Sequence, residues 1–261
     1  MDLLVGDKGF LIVGGTSGMG LATARVLAEE GASVVVAGRD PDKAERSAAS
    51  LAGASRAAAV TVDVHDGADV DRAMREAAEI LGRLDGVAVL TGIIGHEPFD
   101  MADEGWADVC SDVLLGTVRV VRAALPHLTG RGGTIVTTSA YSIRAPDAAR
   151  IPYTTLKAGV AVFTKGIAKT YGAQGVRANC VCPGAIETEP LQELRSQLAE
   201  ARGWPVDEAI ERAMVEDWGL RVALGRPGRP AEVGELMAFL LSPRAGYLTG
   251  ALINIDGGTD F

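Results

Sequence analysis

The stretch Phe10-Leu-Ile-Val-Gly14-Gly15-Thr16-Ser17-Gly18-Met19-Gly20-Leu21-Ala22 decides how this chain folds. Residues 10–13 are an apolar run bounded by glycine, which predicts a buried strand, and the spacing from 21 to 29 predicts a helix. Gly14 permits a tight turn between them. Gly18 lets backbone approach an anion, and Gly20 allows helix and strand to pack closely. The helix start leaves amide N–H groups unpaired and carries partial positive charge, which suits a pyrophosphate. Gly14, Thr16, Ser17, Gly18, Met19 and Gly20 are therefore candidate dinucleotide-binding residues.

The same alternation runs through the rest of the chain. Further strands are predicted at 33–37, 58–63, 86–91, 133–139, 177–182 and 252–256. Helices are predicted at 41–51, 68–81, 106–128, 153–171 and 230–241. Short apolar runs alternating with amphipathic ones call for a parallel sheet covered on both faces, an α/β doubly wound Rossmann-type fold of about seven strands. No composition break divides residues 1–261, so one domain is expected. One charged stretch, 187–228, interrupts the rhythm with Trp204 and Trp218. An insertion at a strand's carboxyl end is either a lid over a substrate site or a helical pair that packs or assembles on the surface.

Bulk properties narrow the function. A hydrophobic share of 48% is enough for a large core, and a net charge of −9 without a basic block disfavours nucleic acid and anionic membranes as partners. Cys110, Cys180 and Cys182 form no disulfide framework and read as small buried hydrophobes. His65, His96 and His127 have no metal-ligand spacing, so no metal is expected. No signal-peptide pattern opens the sequence and no apolar run is long enough to span a bilayer, so a reducing cytoplasm is the expected location.

The second predicted strand ends Ala37-Gly38-Arg39-Asp40. An acidic residue near this point would hold the ribose 2′-hydroxyl of NAD, whereas Arg39 offers a fork for a 2′-phosphate. NADP(H) is therefore the preferred cofactor, with NAD(H) kept open by Asp40. Asp40 ahead of Pro41 also suits a plain helix start.

Tyr153-Thr-Thr-Leu-Lys157 supplies the candidate chemistry. An i, i+4 spacing puts both side chains on one helix face. A lysine cation beside a phenol is expected to lower its pKa, and the phenol then serves as general acid or base towards a carbonyl or alcohol.

The Gly-x3-Gly-x-Gly turn, its distance from Tyr153-x3-Lys157 and the turn Pro183-Gly184-Ala-Ile186-Glu-Thr188 resemble the short-chain dehydrogenase/reductase family. The resemblance covers nearly the whole chain and extends to Asp256-Gly257-Gly258. It implies hydride transfer between a nicotinamide and a carbonyl or secondary alcohol of a small organic substrate. It implies that Asp63 and Val64 meet the adenine, that Lys157 also holds the nicotinamide ribose, and that Pro183, Gly184, Ile186 and Thr188 flank the nicotinamide. It further implies a homotetramer or homodimer, paired through the helices at 106–128 and 153–171.

The chain departs from the family pattern at three places. Val89-Leu90-Thr91-Gly92 stands where the family has Asn-Asn-Ala-Gly, so only Gly92 carries over to the cofactor. Val113 stands where an asparagine orders a water beside the lysine. Ala140 stands where the catalytic serine precedes the tyrosine, flanked by Ser139 and Ser142. Side-chain parity favours Ser142 if the strand stays extended, and Ser139 needs a one-residue shift. Either hydroxyl, or Tyr141, is a candidate to hold the substrate oxygen. Glu97, Phe99, Met101 and Trp204 are candidate pocket residues from the 92–105 loop and the insertion. The departures also leave open a non-redox isomerase or lyase role, or a cofactor-binding role without catalysis.

Overall fold

The computed structural model describes residues 2–92, 97–146 and 148–259. His96 and residues 93–96 of the 92–105 loop lie outside them. Strand β1 (Gly9–Val13) is an inner strand of a parallel seven-stranded sheet. The other strands are β2 (Ser33–Gly38), β3 (Arg56–Thr61), β4 (Gly86–Val89), β5 (Thr134–Thr138), β6 (Arg177–Pro183) and β7 (Leu252–Ile255). They run in the order β3-β2-β1-β4-β5-β6-β7. The chain reverses its direction of growth between β1 and β4, and such a switch point opens a crevice at the strands' carboxyl ends.

Alternation along β1 separates the two layers. Phe10 and Ile12 point to one face, where they meet Leu27 of helix α1 (Gly18–Glu29) and, further along the chain, Met237. Leu11 and Val13 point to the other, against Met74, Val120 and Leu128. Helix α2 (Pro41–Ala49) packs on β2 and β3. Helix α3 (Gly67–Leu81), helix α5 (Gly116–Leu128) and helix α6 (Ile151–Tyr171) cover the second face. β1, β4 and β5 are buried throughout. A strand covered by helices on both sides has no solvent face to mark with polar residues, hence the apolar runs.

The expected single helix over 106–128 is broken in two. Helix α4 (Asp103–Cys110) begins earlier, and Ser111–Leu115 form a π-helical segment before α5. Such a turn accommodates one extra residue and redirects side chains. Arg119 braces it by donating to Ser111 Oγ at 3.2 Å and to the Val64 carbonyl at 3.1 Å. Four predicted strands, at 58–63, 86–91, 133–139 and 252–256, end earlier in the structure. Their last residues leave the sheet and form loops at its carboxyl edge.

The 187–228 stretch contains helix α7 (Glu189–Arg202) and helix α8 (Ala209–Glu216), and helix α9 (Pro230–Leu241) follows it. Its two ends are clasped: Glu187 N–H donates to Gly228 at 2.8 Å, and Gly228 N–H donates to Ala185 at 2.8 Å. Arg195 ties the helices together through Glu187 at 2.7 Å and Glu211 at 2.8 Å. Among the described residues, no helix is long and apolar enough to cross a membrane, and no cluster of His, Cys, Asp or Glu is placed to hold a metal. All three cysteines are free, with Cys180 and Cys182 buried in β6.

Candidate active site

Two adjoining hollows lie along the crevice and share Leu90, Thr91 and Gly92. The larger, of about 290 Å³, lies beside the glycine turn and the end of β2. The smaller, of about 130 Å³, holds Tyr153, Lys157 and the Pro183–Thr188 turn.

The glycine turn has the geometry expected of it. Gly14 has φ +81°, and a Cβ there would stand 2.6 Å from the Leu90 carbonyl. A Cβ on Gly20 would stand 2.0 Å from the Gly14 carbonyl, so helix α1 packs against its own turn only because that side chain is hydrogen. Ser17 is the N-cap of α1, yet its side chain makes no capping bond, which leaves the first-turn amides for an anion. Thr91 Oγ1 is buried without a hydrogen-bond partner in the wall shared by both hollows. An extended molecule with phosphates at one end and polar groups along its length fits this arrangement. Gly14, Thr16, Ser17, Gly38, Arg39 and Val64 line the larger hollow. Met19, Gly92, Pro183, Gly184, Ile186 and Thr188 line the smaller one. Gly184 lies against the closing turn, where a Cβ would come 2.8 Å from Asp256 Cα.

Asp40 is an N-cap: its carboxylate accepts from Lys43 N–H at 3.0 Å, which occupies it at the start of α2. Arg39 is exposed and lines the larger hollow. Asp63 is not among the residues that line the larger hollow. Its carboxylate accepts from His65 N–H at 3.0 Å and lies 2.8 Å from His65 Nδ1. These bonds hold its pKa below the usual carboxylate value. Val64 and His65, not Asp63, face the hollow.

Tyr153 and Lys157 come together as the spacing requires, with the ammonium 5.7 Å from the ring centroid. Lys157 is buried, and its Nζ donates to the carbonyls of Thr138 at 3.0 Å and Thr91 at 3.1 Å. Burial pulls its pKa down to about 8. Tyr153 shifts opposite to expectation: burial pushes the phenol above its ordinary value, and Arg150 opposes this only in part. Spacing alone gives proximity of charge. It does not register that the phenol is 7% exposed and that desolvation disfavours phenolate.

The serine positions also separate. The backbone is not extended past Ala140, because Tyr141–Ile143 form a 3₁₀ turn, so the parity argument stops there. Both Ser139 and Ser142 still line the smaller hollow, as do Tyr141 and Ala140. Ser139 Oγ donates to the Lys157 carbonyl at 2.8 Å. Ser142 Oγ accepts from Thr154 Oγ1 at 3.1 Å. Val113 is buried in the π-helical segment against Ala140, Tyr153 and Leu156, a packing role.

Of the other candidates, Phe99 is 62% exposed, and Met101 packs under Gly105. The Arg202 and Arg212 guanidiniums lie 5.2 and 4.8 Å from the Trp204 ring centroid. Neither these three nor Glu97 lines the two hollows. Residues that sequence reasoning missed are His65, Asp112 and Arg150. His65 Nε2 lies 3.5 Å from Asp112 Oδ1, joining the loop after β3 to the π-helical segment across the larger hollow. Nothing in the spacing of these residues signals that contact.

The family described as enoyl-(acyl carrier protein) reductase matches residues 13–260. The chain is 34% identical over 253 residues to meso-2,3-butanediol dehydrogenase of Serratia marcescens, covering 97% of this chain and 94% of that protein. It is 37% identical over 255 residues to cis-4-hydroxycyclohexanecarboxylate dehydrogenase of Sinomonas cyclohexanicum, covering 95% and 94%. The chain belongs to the short-chain dehydrogenase/reductase family. Its fold is similar to L-sorbose reductase of Gluconobacter frateurii, solved with NADPH and L-sorbose, at a TM-score of 0.91 and 28% identity, covering 99% and 98% of the two chains. Actinorhodin polyketide ketoreductase with NADPH gives a TM-score of 0.84 at 29% identity, covering 96% of each chain. The protein is accordingly an NAD(P)-dependent oxidoreductase, and none of these relatives supports the isomerase, lyase or non-catalytic readings.

Proposed function

We propose that the protein is an NADP(H)-dependent reductase of small carbonyl compounds, working as one catalytic domain with Tyr153 as its proton donor. The observation that carries this reading is the meeting of Tyr153 and Lys157 beside the glycine-turn crevice. When bound, the nicotinamide supplies or accepts the hydride. Tyr153, held as phenol by burial, protonates the carbonyl oxygen, and in reverse it receives the alcohol proton. Ser142 donates a hydrogen bond to the same oxygen, whereas the Ser139 hydroxyl donates to the Lys157 carbonyl. Lys157 holds a positive charge behind the phenol and fixes the Thr91 and Thr138 carbonyls.

Arg39 supports the choice of NADP(H), because it lines the crevice at the end of β2 while Asp40 is occupied as a cap. Its guanidinium pairs with a 2′-phosphate. The 187–228 insertion acts as a wall of the substrate site. Thr188, at its root, reaches within 3.0 Å of where a Cβ on Gly18 would stand. Oligomerisation through α5 and α6 is supported by Val162, 74% exposed on α6, and Leu115, 40% exposed just before α5. A monomer mass by light scattering would overturn that assignment. The function itself is tested by following reduced-nicotinamide absorbance with a ketone panel and either cofactor. Reduction with NADPH is expected, and Arg39→Ala should weaken NADPH far more than NADH. Equal weakening of both cofactors contradicts the Arg39 assignment, and binding of NADPH without turnover of any carbonyl contradicts the reductase.

A further inference from the structure

Helix α7 buries little of itself. Of its residues only Ala199 is buried, and the helix packs chiefly on α8. Arg195 and Arg202 tie it to residues of the same insertion. Among the described residues, one side-chain bond leads from α7 to the body of the protein. Lys43 Nζ donates to Glu189 Oε2 at 3.2 Å.

Each partner of this ion pair is anchored at the crevice. Lys43 lies in the first turn of α2, just beyond Arg39, which lines the larger hollow. Ser47, one turn further, shares its hydroxyl proton between the carbonyls of Lys43 at 2.7 Å and Thr16 at 3.0 Å, so α2 is fixed to the glycine turn. Glu189 follows Thr188, which lines the smaller hollow. Thr188 Cγ2 stands 3.0 Å from where a Cβ on Gly18 would be. The ion pair therefore closes a ring of contacts from Thr16 through α2 and α7 back to Gly18. Ser17, the N-cap of α1, lies between the two ends of that ring.

We propose that Lys43 and Glu189 are positioning residues for the cofactor: their ion pair holds α7 against the glycine turn and slows release of the bound dinucleotide. This rests on reading the crevice as the dinucleotide site. Charge alone predicts the opposite for one partner. A carboxylate beside a phosphate-binding turn repels the ligand, so by Coulomb's law its removal slows release. Removal of a latch speeds release. Water reaches both side chains, which limits the effect to that of an exposed ion pair.

The test follows NADPH release by stopped-flow fluorescence, with the full-length protein loaded and then mixed with excess NADP+. Glu189→Gln should release NADPH about 1.5- to 5-fold faster than wild type, the ratio an exposed ion pair allows. It should speed NADH release by the same factor, because the pair does not read the 2′-phosphate. In the Lys43→Met background Glu189→Gln should add no acceleration, since the interaction is already gone. Slower or unchanged release in Glu189→Gln overturns the proposal. So does an acceleration confined to NADPH, or one that persists in the Lys43→Met background. Hydrogen exchange of α7 in the cofactor-free protein gives a second reading. Lys43→Met leaves the sequence of α7 intact, so faster exchange at 190–202 reads the ion pair and should rise by a similar factor. Unchanged exchange overturns the latch. Should neither nicotinamide bind, the proposed function fails separately, and the exchange decides whether the ion pair holds α7.

Discussion

Replacing Lys157 by methionine removes a cation that the fold holds at a cost. Methionine keeps much of the side-chain volume and lacks the charge. Burial lowers the Lys157 pKa from 10.5 to about 8 in the native state, which corresponds to roughly 3 kcal/mol against the protonated form. At pH 7 native and unfolded chains both hold this proton, so the full cost is present. As pH rises through 8 the native state gives up the proton while the unfolded chain keeps it until about 10.5. The unfolded state then binds more protons, and stability rises with pH. Between pH 7 and 10, wild type should gain about 2–3 kcal/mol relative to Lys157→Met. The variant also deprives the Thr91 and Thr138 carbonyls of their donor, a loss of about 1–3 kcal/mol each that does not vary with pH. Only the slope therefore isolates the charge. Urea unfolding of both proteins at several pH values between 7 and 10, followed by tryptophan fluorescence, gives that slope. Parallel pH dependences, or a fall in wild type relative to the variant, would refute the idea of a desolvated cation behind Tyr153.

Two further substitutions probe the crevice. Gly20→Ala forces a methyl group to within 2.0 Å of the Gly14 carbonyl, so it should cost ~1–3 kcal/mol or more and abolish NADPH binding by fluorescence titration. Normal binding would show that the turn does not need hydrogen there. Ser142→Ala should lower kcat by about 10- to 100-fold, since it removes a hydrogen bond to the reacting oxygen. Ser139→Ala should act mainly on stability, because its hydroxyl serves the Lys157 carbonyl. The reverse pattern in steady-state kinetics and thermal unfolding would exchange the roles of the two serines.

The sheet was legible because both its faces are covered. Apolar runs at β1, β2 and β6 carry no competing amphipathic signal, and α9 spans Pro230–Leu241 as its spacing predicts. The glycine turn was legible since each glycine answers a separate steric demand. The π-helical segment was not, because one extra residue leaves the apolar spacing of 106–128 nearly unchanged. For the same reason nothing in the spacing announced that Asp112 would meet His65 across the crevice. Aromatic and thioether side chains in loops carry no directional signal in the sequence. Phe99, Met101 and Trp204 are hydrophobic, but a loop residue's direction is set by contacts within its own segment. The tyrosine's protonation was misjudged because spacing reports the neighbouring charge and is silent on desolvation. Arg150 escaped notice since it lies just outside the Tyr-x3-Lys pattern, at a helix cap whose orientation only the fold defines.

The central claim is that Tyr153 transfers the proton that accompanies hydride transfer in this crevice. Tyr153→Phe deletes a single oxygen from a ring packed against Val113, Ala140 and Leu156. The most direct measurement is NADPH binding and carbonyl-dependent NADPH oxidation by this variant beside wild type. NADPH affinity should be unchanged while kcat falls by about 10²- to 10⁴-fold, the range for loss of a general acid. A variant that reduces the same carbonyl as fast as wild type would contradict the account.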